Sequence, residues 1–130
     1  MAKDKGILVQ EVEPQRLAQL APGQRHQGVV AMASPVEYAE VEDILAAAEA
    51  KGEAPLIVVL DELEDPHNLG AVLRSVDAAG AHGVIIPKRR SCPLSTTVAK
   101  TSAGAVEYVP VARVANLAQT LDKLKKAGVW

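Results

Sequence analysis

Residues Leu60–Gly80 read LDELEDPHNLGAVLRSVDAAG and follow directly on the apolar run Leu56–Leu60. That run is long enough for one buried strand and far too short to cross a membrane. Asp65, Pro66, His67 and Asn68 are turn and cap residues, after which Leu69, Val72, Leu73 and Val76 recur at helical spacing. Gly80 stands where a helix would stop. The stretch predicts strand, polar turn and helix, with Asn68 or Asp65 capping the first amides.

Such a turn lies at the carboxyl end of a strand, where open parallel sheets place their ligands. It offers two polar groups, the Asn68 amide and the Arg74 guanidinium. Arg74 lies between Leu73 and Val76, so its stem is expected to pack against protein. Its charge is then either paired with Asp77 or Glu64, or open to an anion such as phosphate. Val84, Ile85 and Ile86 form the next strand, and strand–helix–strand within this span is a parallel βαβ crossover. Pro87 closes that strand. Lys88, Arg89 and Arg90 follow at its carboxyl end, as a phosphate contact or as a solubilising loop.

Outward from this unit, Val41–Lys51 reads as a helix with Ile44, Leu45 and Ala48 on one face, ended by Gly52. Ser34–Glu40 reads as a linker. Ile7–Val12 and Gly28–Met32 are apolar enough for strands, and Pro14–Leu20 for a short helix with Pro14 in its first turn. His26 reads as a histidine at a turn or the start of a strand. On the other side, Ser95, Thr96 and Thr97 offer caps for a helix over Val98–Ala103. Gly104 is expected to end that helix and release a strand over Val106–Val111, with Glu107 exposed on it. Val114–Lys126 reads as an amphipathic helix with Leu117, Leu121 and Leu124 inward, its lysines favouring the negative end of the helix dipole.

A length of 130 residues suits about one domain. With 48% hydrophobic residues but no Phe, one Trp and two Tyr, the core has to be aliphatic. Strands alternating with helices then point to α/β layering, a parallel sheet with flanking helices. The formal charge of −2 does not advertise nucleic acid, so local basic clusters decide. Cys92 is the one cysteine, which excludes an internal disulfide framework and suits a reducing compartment. Met1–Gly6 is polar with no apolar segment behind it, so the expected location is the cytoplasm, without a membrane anchor. No GxGxxG, Walker loop, metal-ligand spacing or locally supported Ser-His-Asp set occurs, so no metal is expected.

DPHNLGAVLRSVDAAG resembles the first signature of the SpoU (TrmH-type) branch of the SPOUT RNA methyltransferases, a pattern close to DPxNxGxxxRxAxxxG. HQGVVA at His26–Ala31, VIIPKRRS at Val84–Ser91 and AKTSAGAVEYVPVARVANLA at Ala99–Ala118 extend the resemblance to the RlmB-type enzymes, guanosine 2′-O ribose methyltransferases of bacterial 23S rRNA. The resemblance implies that 1–33 is the end of a small RNA-binding domain, 34–40 a linker, and 41–130 the first half of a SPOUT (α/β knot) domain, without the knot. The family's later signatures, which bind S-adenosylmethionine and complete a homodimer, do not occur in these residues. The cofactor contacts are therefore expected beyond Trp130, and the chain alone is expected to be inactive.

The activity so implied is transfer of the sulfonium methyl group to a ribose 2′-hydroxyl of ribosomal RNA. By the same resemblance, Arg74 is catalytic, holding a phosphate and lowering the cost of the alkoxide, and Asn68 orients Arg74 or the ribose. Lys88, Arg89, Arg90 and Lys100 are the expected RNA contacts. Ser95 stands where the family often has Asn. Two alternatives belong to other classes. One is a non-catalytic RNA-binding or assembly module in which Arg74 is structural; the other is a small anion- or nucleotide-binding domain.

Overall fold

A computed structural model describes residues 8–31 and 36–130. The chain falls into two compact units, 1–33 and 34–130. In the first, α1 (Pro14–Leu20) starts at a proline and buries none of its residues. A turn follows in which His26 Nδ1 accepts from the Gly28 N–H at 3.0 Å, with Gln27 and Gly28 both at positive φ. His26 is thus a turn residue whose ring is used locally.

The second unit is a layered α/β fold. β1 (Ile57–Val59), β2 (Gly83–Pro87) and β3 (Val111–Val114) form a sheet in the order β1-β2-β3, with both pairings parallel. The parallel pairs are connected by crossovers, as they must be. α3 (Pro66–Ala79) lies between β1 and β2, and α4 (Thr96–Thr101) with a 3-10 turn (Ala105–Glu107) lies between β2 and β3. Side-chain alternation divides the apolar strand residues between two faces. Val84, Ile86 and Val111 join Leu69, Leu73 and Val76 of α3 and Val98 of α4. Ile85 and Ala112 point the other way, to Ile44 of α2 (Val41–Lys51) and Leu124 of α5 (Leu117–Lys126). The sheet is therefore covered on both faces by aliphatic side chains.

α2 carries a reciprocal cap: the Asp43 carboxylate accepts from the Glu40 N–H at 3.0 Å, and Gly52 ends the helix at φ 67°. Gly83 opens β2 beneath Ile44. A Cβ there would lie 2.6 Å from Ile44 Cδ1, so helix and sheet meet through the missing side chain. His82 beside it is buried, its Nδ1 accepting from the Leu56 N–H at 3.0 Å and its Nε2 bonded to Glu53 at 2.9 Å. This pins the segment leading into β1.

Several expected elements differ. Leu8–Val12 and Gly28–Ala31 are not strands, because neither run has a ladder partner among the described residues; Ile7, Met32 and the Met1–Gly6 segment lie outside them. The strand expected over Val106–Val111 is mostly a turn. The Ser102 hydroxyl accepts from the Val106 N–H, and Tyr108 and Val109 both donate to the Ala105 carbonyl. Val106 and Val109 are buried three residues apart, a turn period and not a strand period. Glu107 is exposed, but on that turn. β3 starts only at Val111, after Pro110. The last helix starts at Leu117, where Asn116 accepts from the Gln119 N–H, while Val114 stays in β3. Leu121 was expected inward and is 42% exposed; α5 buries only Leu124 fully, so its apolar stripe is narrower than the leucine spacing implies.

Candidate functional site

The carboxyl ends of the three strands lie along one edge of the sheet, and the expected polar residues of the signature and of the basic run sit on the segments that leave it. From β1 the chain runs through Asp61–Asp65 into α3. Asp65 is the cap, accepting from the His67 N–H at 2.9 Å with Pro66 behind it in the first turn. Asn68 lies inside that turn, exposed, with no hydrogen bond to another described residue. Its carboxamide is therefore uncommitted.

Arg74 is exposed, in contrast to the packed stem expected from its neighbours. Leu73 and Val76 are buried on one side of α3, and Arg74 leaves from another. Among the described residues it forms no ion pair, with Asp77, Glu64 or any other carboxylate. It borders an open groove of about 590 Å³ with Ala71, Ser75, Asp77 and Ala78 of α3 and Ser102, Ala103 and Ala105 opposite. The small residues let the guanidinium stand clear, so the ion pair with Asp77 or Glu64, the first of the two readings, is not formed, and the side chain is open to solvent or to an anion. Asn68 and Arg74 are six residues apart on the helix, so about 9 Å separates them along its axis. No hydrogen bond joins them among the described residues.

Next to the groove, α3 and α4 meet in a close contact that the spacing of apolar residues does not announce. A Cβ on Gly70 would lie 2.0 Å from Thr101 Oγ1, 2.6 Å from Thr101 Cβ and 2.8 Å from the Ser102 nitrogen. Only glycine lets α4 approach this closely. Thr101 Oγ1 then has its one proton within reach of the Pro66 carbonyl at 3.1 Å and of the Thr97 carbonyl at 3.0 Å, and the first of these ties the end of α4 to the first turn of α3. The available signal was a glycine inside a helical pattern, which usually has a packing reason.

Lys88, Arg89 and Arg90 leave the end of β2, all exposed. The Lys88 N–H donates to the Val114 carbonyl at 2.9 Å, which carries the ladder one residue past Pro87. Arg90 pairs with Glu62 at 2.5 Å, and both adopt positive φ, 50° and 54°. The Cys92 N–H donates to the Leu63 carbonyl at 2.8 Å. The loops after β1 and β2 are thereby joined, so the basic run is held beside the signature turn. Lys100 is exposed on α4, which Ser95 caps through the Val98 N–H. None of Lys88, Arg89, Arg90 or Lys100 borders the Arg74 groove.

Two aromatic and cationic residues that the sequence reading did not single out meet at the third strand: Arg113 lies over the Tyr38 ring, 4.6 Å from its centroid. Cys92 is buried, and burial first, then the Asp65 charge, pushes its thiol above the ordinary value of 9.0. It is a protonated packing residue and not a nucleophile. Among the described residues no group of His, Cys, Asp or Glu side chains is placed to hold a metal ion, and no helix is long and apolar enough to cross a membrane. The Arg74 groove is open, and a second groove between α2 and α5, bordered by Glu40, Leu45, Asn116 and Lys123, lies between the helices on the opposite face of the sheet.

The sequence and this geometry can be set beside known proteins. Residues 1–39 match a substrate-binding family of RNA 2′-O ribose methyltransferases. A Bacillus subtilis protein, YacO, assigned to the TrmH family of tRNA/rRNA methyltransferases, is 56% identical over the whole chain, and a Staphylococcus aureus protein of the same assignment is 53% identical over 129 residues. The chain spans about half the length of these curated relatives, 52% of each. Among solved structures, an rRNA methyltransferase from Sinorhizobium meliloti with AdoMet bound superposes with a TM-score of 0.62 at 26% identity, covering 95% of this chain and 45% of that one. Residues 55–130, more than half of the sequence and all of the signature segment, match the SpoU rRNA Methylase family, and the chain belongs to it.

Proposed function

We propose that these residues are the RNA-facing part of an S-adenosylmethionine-dependent methyltransferase that modifies a ribose 2′-hydroxyl of ribosomal RNA, a guanosine of 23S rRNA in the RlmB-type reading. S-adenosylmethionine is the cofactor of the S. meliloti neighbour. The 130 residues alone do not turn over. A homodimer and a cytoplasmic location complete the reading.

The observation that carries the proposal is Arg74, exposed on the signature helix and without an ion pair among the described residues, beside small residues that leave it room. A 2′-hydroxyl is a poor nucleophile, so the site has to favour its alkoxide. A guanidinium stays protonated, and its task is therefore electrostatic. It grips the phosphate beside the target ribose and offsets charge as the oxygen loses its proton. Asn68, uncommitted one and a half turns earlier, orients the ribose. Lys88, Arg89 and Lys100 hold the backbone, and Arg90 joins them if phosphate displaces Glu62 from an exposed ion pair, which costs little. The 1–33 unit belongs to a substrate-binding domain, and 34–40 is its connection.

The test is transfer of labelled methyl groups to ribosomal RNA by this chain and by a chain extended to the length of its relatives, each with Arg74 and with Arg74→Ala. Turnover confined to the extended chain and abolished by the substitution is the expected result. Robust turnover by the 130 residues refutes the division of labour. Unchanged turnover in the extended Arg74→Ala protein refutes the role of Arg74 and favours the non-catalytic RNA-binding module.

A further inference from the structure

Arg113 near the end of β3 is exposed, and its guanidinium lies over the half-buried ring of Tyr38 at 4.6 Å. Among the described residues no carboxylate pairs with it. Tyr38 is itself held in place. Its hydroxyl accepts from the Leu94 N–H at 2.9 Å, and the next residue, Ala39, bridges to Ala112 and donates to the Val111 carbonyl at 2.8 Å. The guanidinium carbon therefore sits over a ring that is held in place, and the rest of the exposed group is left to solvent or to a ligand.

The position of this pair matters as much as its shape. Arg113 is the ladder partner of Ile86, and alternation places it on the same face of the sheet as Ile86. Lys88 follows Ile86 by two residues, and its N–H continues the ladder to Val114. Lys88 and Arg113 are thus diagonal neighbours at the carboxyl edge, on strands about 5 Å apart. Lys88, Arg89 and Arg113 have no carboxylate partner among the described residues. Like charges gathered without counter-charges suit a polyanion. Lysine serves as well as arginine for a bare phosphate, but a planar guanidinium laid on a ring is suited to a planar ligand.

We infer that Arg113 on Tyr38 is a stacking platform for an unpaired base of single-stranded RNA, beside the phosphate contacts of Lys88 and Arg89. The inference rests on the reading that the chain acts on RNA, and it assigns a base contact where that reading has only backbone contacts. Unstacked bases are commonly received on arginine planes and aromatic rings, with little dependence on sequence.

The experiment measures binding of the 130-residue chain to a labelled oligouridylate and to an abasic ribose-phosphate strand of equal length and charge, over a range of salt. The native chain should prefer the strand with bases by at least about fivefold, the lower end of what one stacked base contributes. Arg113→Lys keeps the charge and should abolish the preference while leaving abasic affinity unchanged; Tyr38→Leu should do the same, and Tyr38→Phe should retain it. Lys88→Ala should weaken both strands alike and lower the salt slope by about one. A native chain without base preference, or one whose preference survives Arg113→Lys, overturns the platform and leaves the RNA reading standing. Absence of salt-dependent binding to either strand overturns both.

Discussion

Replacing Gly70 with alanine sets two effects of opposite sign against each other. On helix propensity alone, alanine in place of an interior glycine stabilises by about 1 kcal/mol. The new methyl group, however, would lie 2.0 Å from Thr101 Oγ1, 2.6 Å from Thr101 Cβ and 2.8 Å from the Ser102 nitrogen. A hydroxyl can rotate aside, but a Cβ and a backbone nitrogen cannot, so the end of α4 has to retreat by the better part of an ångström. Overpacking of this kind costs about 1–3 kcal/mol. The retreat also lengthens the Thr101–Pro66 hydrogen bond, worth about 1 kcal/mol. The net expectation is a loss of about 1–3 kcal/mol, read as a lower urea midpoint at unchanged slope. Ala78→Gly on exposed surface of the same helix measures the propensity effect alone. A Gly70→Ala chain as stable as the native one, or more so, refutes the close approach of α4 to α3.

Gly83→Ala should also destabilise, because its methyl would meet Ile44 within 2.8 Å. Ile44→Ala alone should cost about 2–5 kcal/mol but far less in the Gly83→Ala background, and a double-mutant cycle that is additive refutes the contact. Arg74→Ala should leave stability within about 0.5 kcal/mol of native, since the side chain is exposed and has no ion pair among the described residues, while turnover of the extended protein falls by roughly a hundredfold or more. A large loss of stability would mean that Arg74 is structural after all. Cys92 supplies a pH dependence. Its thiol titrates above 9.0 when folded, so its contribution is fully present below that value and is lost as pH climbs through the raised one. Midpoints of native and Cys92→Ala chains should converge in alkali; a gap that widens there refutes the assignment. Tyr38→Phe should cost about 1 kcal/mol through the unpaired Leu94 N–H.

The pattern of residues decides more of the fold than of the site. Strand, capped turn and helix over Leu56–Gly80 follow from short-range chemistry, because a proline in the first turn, a glycine at the end and apolar residues at helical spacing act within a few residues of each other. The same holds for α2 and the β2 strand. The reading failed where tertiary contacts outvote local preference. Val106–Val109 looks like a strand, but it turns because the Ser102 hydroxyl takes its amide. Leu121 looks internal and is exposed because α5 meets the sheet through Leu124.

Asn68, Arg74 and the Lys88–Arg90 run could be named from the order of residues alone, since each lies within or directly after an element that its own neighbours specify. Whether Arg74 would be free or paired could not, because a charge is quenched by whatever carboxylate the folded chain brings near, from any distance in sequence. The same reason hid Tyr38 and Arg113. They are 75 residues apart by number and become partners only because a parallel sheet lays β3 beside the incoming segment at 36–40. Local chemistry wrote the helices and the signature turn; which cations remain uncovered at the sheet's edge was settled by packing at long range.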